Sequence, residues 1–191
     1  MQADINQMFI EHDIVPVLID RAPLVFAKVA YRSKRLVDAG KELTPIEVRD
    51  EPKVEWCADP TTYYTLVMID PDSPSRTEPF NREFAHWLIG NIPGKHVEQG
   101  EILFEYIPTF PRSGTGFHRY IFLLYQQHCR NDYSEAPRAS RKNRTPRIQF
   151  STREFAQRYS LGHPIAGNFF MAQFDDYVPV ILRQFPVSSD F

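Results

Sequence analysis

The feature that most limits this chain is a series of short apolar runs, each stopped by proline or glycine. Tyr63 to Ile69 ends at Asp70-Pro71, Phe84 to Ile92 at Pro93-Gly94, and Ile102 to Ile107 at Pro108. Phe117 to Gln126 is the longest strand-forming run. Proline has no backbone N–H to give to a ladder, so each run reads as a strand and each stop as a turn. Runs spaced by turn signals point away from βαβ units. They predict a mainly β fold: an antiparallel, Greek-key-type β-sandwich with a few peripheral helices, one of them C-terminal.

Composition agrees. The chain is 42% apolar and 14% aromatic, with 16 prolines, which suits strands with rigid connections around a substantial core. Its 191 residues fit one domain, 1–191. A net charge of −2 supplies no field for nucleic acid and leaves peripheral membrane contact at most. Cys57 and Cys129 are too few for a disulfide scaffold and form no CxxC pair for zinc. Met1 to Gln7 shows neither a basic n-region nor an apolar h-region, and no apolar run approaches the ~18 residues of a transmembrane helix. These features predict a reduced, cytoplasmic monomer with no metal and no cofactor. A leaderless export route stays open.

The remaining elements are shorter. Asp4 caps a helix reaching His12, with Ile5, Met8 and Phe9 as its apolar stripe. Leu24 to Tyr31 and Val54 to Trp56 read as strands. Ser151-Thr152-Arg153-Glu154 fits a capping box and starts a helix from Thr152 to Tyr159. Ala166 to Phe174 reads as the last strand, and Asp176 to Phe185 as a helix with Pro179 in its first turn. Glu135 to Arg147 carries five basic residues and almost nothing apolar, and reads as a solvated loop.

Two stretches lie where buried strands meet the surface, the usual place for a binding site: Asp70-Pro71-Asp72-Ser73-Pro74-Ser75-Arg76 and Gly114-Thr115-Gly116-Phe117-His118-Arg119-Tyr120. The first is either a turn held by its aspartates or a stiff carboxylate-bearing bend that orients a histidine or accepts from an ammonium. It lacks the later glycine and glutamate of a calcium loop. His86 and His118 are either satisfied core residues or pocket groups. Gly114 and Gly116 either form a bulged turn or let backbone N–H groups approach an anion. Alternation places His118 and Tyr120 on one face of a strand, with Phe117 and Arg119 on the other. Ser73 and Ser75 sit in no nucleophile elbow, which argues against acyl transfer. The basic run lacks interleaved aromatics for nucleic acid.

In this order the motifs Asp70-Pro71-Asp72-x-Pro74-Ser75-Arg76, Arg82-Glu83 with His86, and Gly114-x-Gly116-x-His118-Arg119-Tyr120 resemble the phosphatidylethanolamine-binding protein family, also called the Raf kinase inhibitor protein family. The resemblance runs from about Ala22 to Phe185. It implies a β-sandwich with a small anion pocket for phosphorylethanolamine-type headgroups or another small phosphate. Asp70, Pro71, Asp72, Pro74, His86, His118 and Tyr120 would line it, with Gly116 close by. It also implies a cis peptide before Glu83. Two positions depart from the pattern. Pro108-Thr109-Phe110-Pro111-Arg112 replaces a glycine-rich stretch, so Phe110 or Arg112 reshapes the pocket mouth. Glu154 stands where mammalian members carry a regulatory serine. The expectation is a non-enzymatic binding protein that modulates kinase signalling through a protein kinase partner. The alternative is a serine protease inhibitor acting through its surface.

Overall fold

A computed structural model describes residues Asp4 to Gln184; the Met1 to Ala3 part of the leader reading and the predicted helix end at Phe185 lie outside them. The protein is mostly β sheet with a few helices. Helix α1 spans Ile5–Glu11, and the Asp4 carboxylate caps it by accepting from Asn6 N at 3.0 Å. The strands are β1 (Val25–Phe26), β2 (Lys28–Ala30), β3 (Lys53–Glu55), β4 (Tyr63–Asp70), β5 (Phe84–Pro93), β6 (Glu101–Phe104), β7 (His118–Gln127) and β8 (Ala166–Ala172). Helix α2 (Thr152–Arg158) is capped by Ser151, whose side chain accepts from Glu154 N as the capping box requires; α3 spans Val178–Gln184.

Six strands form one mixed sheet in the order β1-β8-β7-β4-β5-β6, while β2 and β3 form a separate antiparallel ribbon. β1 pairs parallel with β8, and the other neighbours pair antiparallel. The predicted sandwich has two antiparallel sheets; here one large mixed sheet is faced by a ribbon on one side and by helices and loops on the other. Alternation makes this possible. Val67, Ile69, Ile121, Leu123 and Phe169 point to one face, where Phe9 of α1 and Phe155 of α2 cover them. Leu66, Met68, Phe122, Leu124 and Phe170 point to the other, where Val29 of β2 and Val54 of β3 cover them. Both faces are therefore dry, which is why β4 and β7 read as continuous apolar runs. Each buried Leu, Ile or Phe contributes about 1.5–3 kcal/mol over an exposed one.

Three sequence expectations shift. The run Leu24 to Tyr31 is two strands, split at buried Ala27, whose N–H binds Gly167 O while the chain passes from sheet to ribbon. β6 stops at Phe104 because Glu105 N turns to Ala139 O, outside the sheet. The basic segment is not wholly solvated: Arg147 is completely buried, and its guanidinium donates to the carbonyls of Asn143, Ala85, His86, Glu105, Ala139 and Ser140 at 2.8–3.2 Å.

Candidate functional site

The site forms where β4 ends and β7 begins. Asp70 closes β4, and His118 and Tyr120 open β7, on the face that also carries Met68 and Phe122. His86 arrives from β5 by a local irregularity. Met68 pairs with Trp87 and Ile69 with Ala85, so β5 carries one extra residue at His86. Counting back from Leu88, strict alternation would send His86 to the opposite face from Tyr120; the bulge turns it around. Its ring then meets Tyr120 edge-on at 5.2 Å, while His118 stacks parallel to Tyr120 at 6.4 Å.

These side chains floor a cavity of about 300 Å³. Asp70, Pro74, His86, His118 and Tyr120 all line it. Phe80, Phe84, Phe110 and Ile148 supply apolar wall; of the two arginines in the lining, Arg112 is exposed and Arg144 half-buried. Three predicted residues are not brought in. Gly116 takes φ +72° in an exposed loop beside the cavity, and the Pro71 carbonyl accepts from Arg82 Nε at 2.7 Å. Asp72 is fully buried facing Arg119: Oδ1 accepts from Nη2 at 2.6 Å, and Oδ2 from Nε at 2.8 Å and from the backbone N at 2.9 Å. Arg119 points away from His118, as alternation requires.

Hydrogen-bond logic fixes the protonation of both imidazoles. His86 Nδ1 lies 3.0 Å from Ile107 O, and a carbonyl only accepts, so Nδ1 carries the proton and Nε2 keeps a lone pair. Burial, reinforced by the Arg147 charge behind it, pushes the His86 pKa down to about 3, so the ring is neutral. His118 Nδ1 donates to Asp70 Oδ2 at 2.8 Å. Its Nε2 meets Thr115 Oγ1 at 2.9 Å, and that hydroxyl spends its only proton on Arg112 O at 2.7 Å. Nε2 must therefore donate as well, and His118 is an imidazolium. Burial opposes that charge, but the bond and charge of Asp70 outweigh it and raise the His118 pKa. Burial also raises Asp70, against the pull of His118, while its Oδ1 accepts from Asp72 N at 2.7 Å. Burial and the nearby carboxylates keep the Tyr120 phenol protonated.

One protonated donor, one neutral acceptor and two guanidiniums thus share an apolar-walled cavity, which suits an anion with an apolar portion. Among the described residues no group of three or more His, Cys, Asp or Glu is arranged to hold a metal. Sequence reasoning singled out Arg112 and Phe110 but missed Thr115, Arg144 and the apolar wall. A hydroxyl between two glycines was the available signal for Thr115; Arg144 had none, being one of several basic residues in a polar run.

Beside this cavity the Arg82–Glu83 peptide is cis, as the resemblance implies. The sequence profile of the phosphatidylethanolamine-binding protein family matches residues 33–170. This chain belongs to that family. It is 33% identical to "Putative odorant-binding protein A5" of Drosophila melanogaster, over 94% of this chain and 85% of the relative. It is 36% identical to "26 kDa secreted antigen" of Toxocara canis, over 86% of this chain but only 63% of the relative. Among solved structures, CG7054 shares 42% identity with a TM-score of 0.74, covering 92% of this chain and 99% of that one. A carboxypeptidase Y inhibitor, solved with its cognate proteinase, shares 26% identity with a TM-score of 0.75, covering 88% of this chain and 94% of that one.

The relatives' names overturn the cytoplasmic expectation: one is an odorant-binding protein and the other a secreted antigen. That expectation leaned on scarce cysteines. Cys57 and Cys129 are exposed free thiols, and two dry sheet faces hold the fold without a disulfide. In a chain of this size the cysteine count reports how the core is stabilised, not where the protein works.

Proposed function

We propose that this family member is a binding protein, not an enzyme, whose cavity takes a small phosphorylated ligand of the headgroup class, and that it works outside the cell. The observation that carries the reading is the His118 imidazolium, whose outer N–H meets a loop hydroxyl that a ligand oxygen can replace. Two histidines with these protonation states make a poor catalytic pair. His118 has no lone pair to offer, and His86, at about 3, is too weak a base to activate a hydroxyl at neutral pH. Charge-assisted hydrogen bonds of roughly 1.5–3 kcal/mol each, less ordering costs, give millimolar-to-micromolar affinity. The apolar wall and the name of the Drosophila relative support a ligand with an organic body. An NMR titration with ethyl phosphate and phosphorylethanolamine tests the reading. Shifts confined to residues around His86 and His118, lost in His86→Ala, support it; no shift at millimolar ligand refutes it.

The carboxypeptidase Y inhibitor among the structural neighbours favours a second reading, inhibition of a protease by the surface around the cavity. A protease-inhibition assay that is unmoved by His86→Ala separates it from the first. A role in kinase signalling rests on the family resemblance alone.

A further inference from the structure

The first cavity does not account for every polar group that the fold leaves open. On the other face of β7, near its far end, a second cavity of about 280 Å³ lies between α2, the turn after it and the segment that follows α1. We propose that it is a second binding site, for a small uncharged molecule with an apolar body and one carbonyl-type oxygen, and that the Tyr125 hydroxyl donates to that oxygen.

Tyr125 is the exception among the buried tyrosines. Tyr64 accepts from Asp59 N, Tyr106 donates to Val48 O and meets Tyr31, Tyr133 meets Thr65, and Tyr120 bonds Asp70. The Tyr125 hydroxyl has no hydrogen-bond partner among the described residues, although the residue is only 2% exposed. Buried hydroxyls are rarely left unmatched, because the bond lost to water is then not replaced. The atom is not sealed in, and the little surface that Tyr125 keeps is on the cavity. Burial, with the Glu83 and Asp20 carboxylates nearby, holds the phenol protonated, so it presents an O–H.

The rest of the lining sets the chemical class. Ile19, Ala156 and Pro164 give an apolar wall. Asp20 and Arg153 share the lining as an ion pair at 2.9 Å, so their charges cancel. An anion meets the Asp20 carboxylate there, and a cation meets the Arg153 guanidinium. Arg153 Nε is likewise without an acceptor. An uncharged acceptor on an apolar body fits that balance, and at this volume the body is one ring or a short chain. β7 keeps the two sites apart: His118 and Tyr120 face the first cavity from its start, and Tyr125 faces the second from near its end.

Three ring probes are titrated at pH 8 into the full chain and followed by NMR: cyclohexanone, cyclohexanecarboxylate and cyclohexylammonium. The ketone is expected to shift residues around Tyr125 and Ala156 at millimolar concentration, about tenfold more tightly than either ion. Excess ethyl phosphate does not displace it. Tyr125→Phe keeps the ring; the expected result is an unchanged urea midpoint and ketone binding weakened about threefold or more. Absence of shifts at millimolar ketone overturns the proposal, the cavity then holding water only. An ion that binds as tightly as the ketone overturns it, and so does ketone affinity that survives Tyr125→Phe. A lowered midpoint in that variant also overturns it, because the hydroxyl then has a structural partner. Displacement by ethyl phosphate puts the ketone in the first cavity and overturns it too. If ethyl phosphate binds nowhere, only the anion-site reading falls.

Discussion

Two buried ion pairs join the same two segments and do opposite jobs. Asp70 meets His118 and Asp72 meets Arg119, so each links the end of β4 or its turn to the start of β7. The Asp72 pair is closed. Arg119 gives three bonds to the carboxylate, and its Nη1 is used by His12 O and Asp13 O, which ties in the end of α1. The Asp70 pair is open on one side, because the outer N–H of His118 faces the cavity, where the loop hydroxyl of Thr115 accepts it. An arginine never titrates in the working range, whereas a histidine does. One pair is a lock and the other a receptor.

The largest effect comes from breaking the lock. Arg119→Ala strips the buried Asp72 carboxylate of both guanidinium hydrogen bonds and leaves it the backbone N–H at that position and the more distant Arg82, whose Nη2 lies 3.8 Å from Oδ1; about 3–5 kcal/mol of stability is lost, read as a lower urea midpoint. The loss is the same at pH 6 and pH 8. Replacing both partners, as Asp72→Leu/Arg119→Met, recovers much of it, because the isolated charge is gone. If the single variant costs less than 1 kcal/mol, the pair is not the lock described.

Titrating the receptor gives a smaller and pH-dependent effect. The folded His118 pKa is raised above the unfolded value, so its contribution is fully present below about pH 6.5. It is lost as pH rises through the folded value. His86 has the opposite sign: folded it holds no proton until about 3, while the unfolded chain takes one up below about 6.5, so it costs stability progressively over that interval. Asp70→Asn removes the loss on the alkaline side and weakens phosphate-ester binding at least tenfold. His86→Phe removes part of the acid-side loss. Urea midpoints collected from pH 4 to 9 separate the two slopes. Identical profiles for wild type and both variants would contradict the assigned protonation states.

The same contrast shows what a reader of the sequence can reach. β4, β5 and β7 were legible because apolar runs stopped by Pro71, Pro93 and the glycines before β7 leave few alternatives. The split between His118 and Arg119 followed from alternation alone. Asp72 was misplaced because two aspartates flanking one proline look equivalent; the chain turns between them, and only the turn shows that they face different partners. His86 reached the cavity through a bulge that no residue pattern announces. Arg147 looked like its basic neighbours, since its six carbonyl acceptors come from three chain segments that only the fold assembles. The single mixed sheet was hidden for a similar reason: a two-residue β1 joins it in parallel, and a pair that short leaves no period to count.

The smallest effect probes how the receptor is kept ready. Thr115 occupies the outer N–H of His118 in the way a ligand oxygen would, and Gly114 and Gly116, at φ +80° and +72°, let the loop bring it there. Any incoming phosphate must displace this hydroxyl. In Thr115→Val the shape is kept and the acceptor removed. Stability falls by about 1–2 kcal/mol, since the hydroxyl's bonds to Arg112 O and to His118 Nε2 are both lost at a half-exposed residue. Ligand affinity rises severalfold, by the share that belongs to the His118 bond, because the competitor is gone. Calorimetry on the variant gives a direct sign: tighter binding means that Thr115 competes with the ligand, and weaker binding means that the hydroxyl turns to contact the ligand itself.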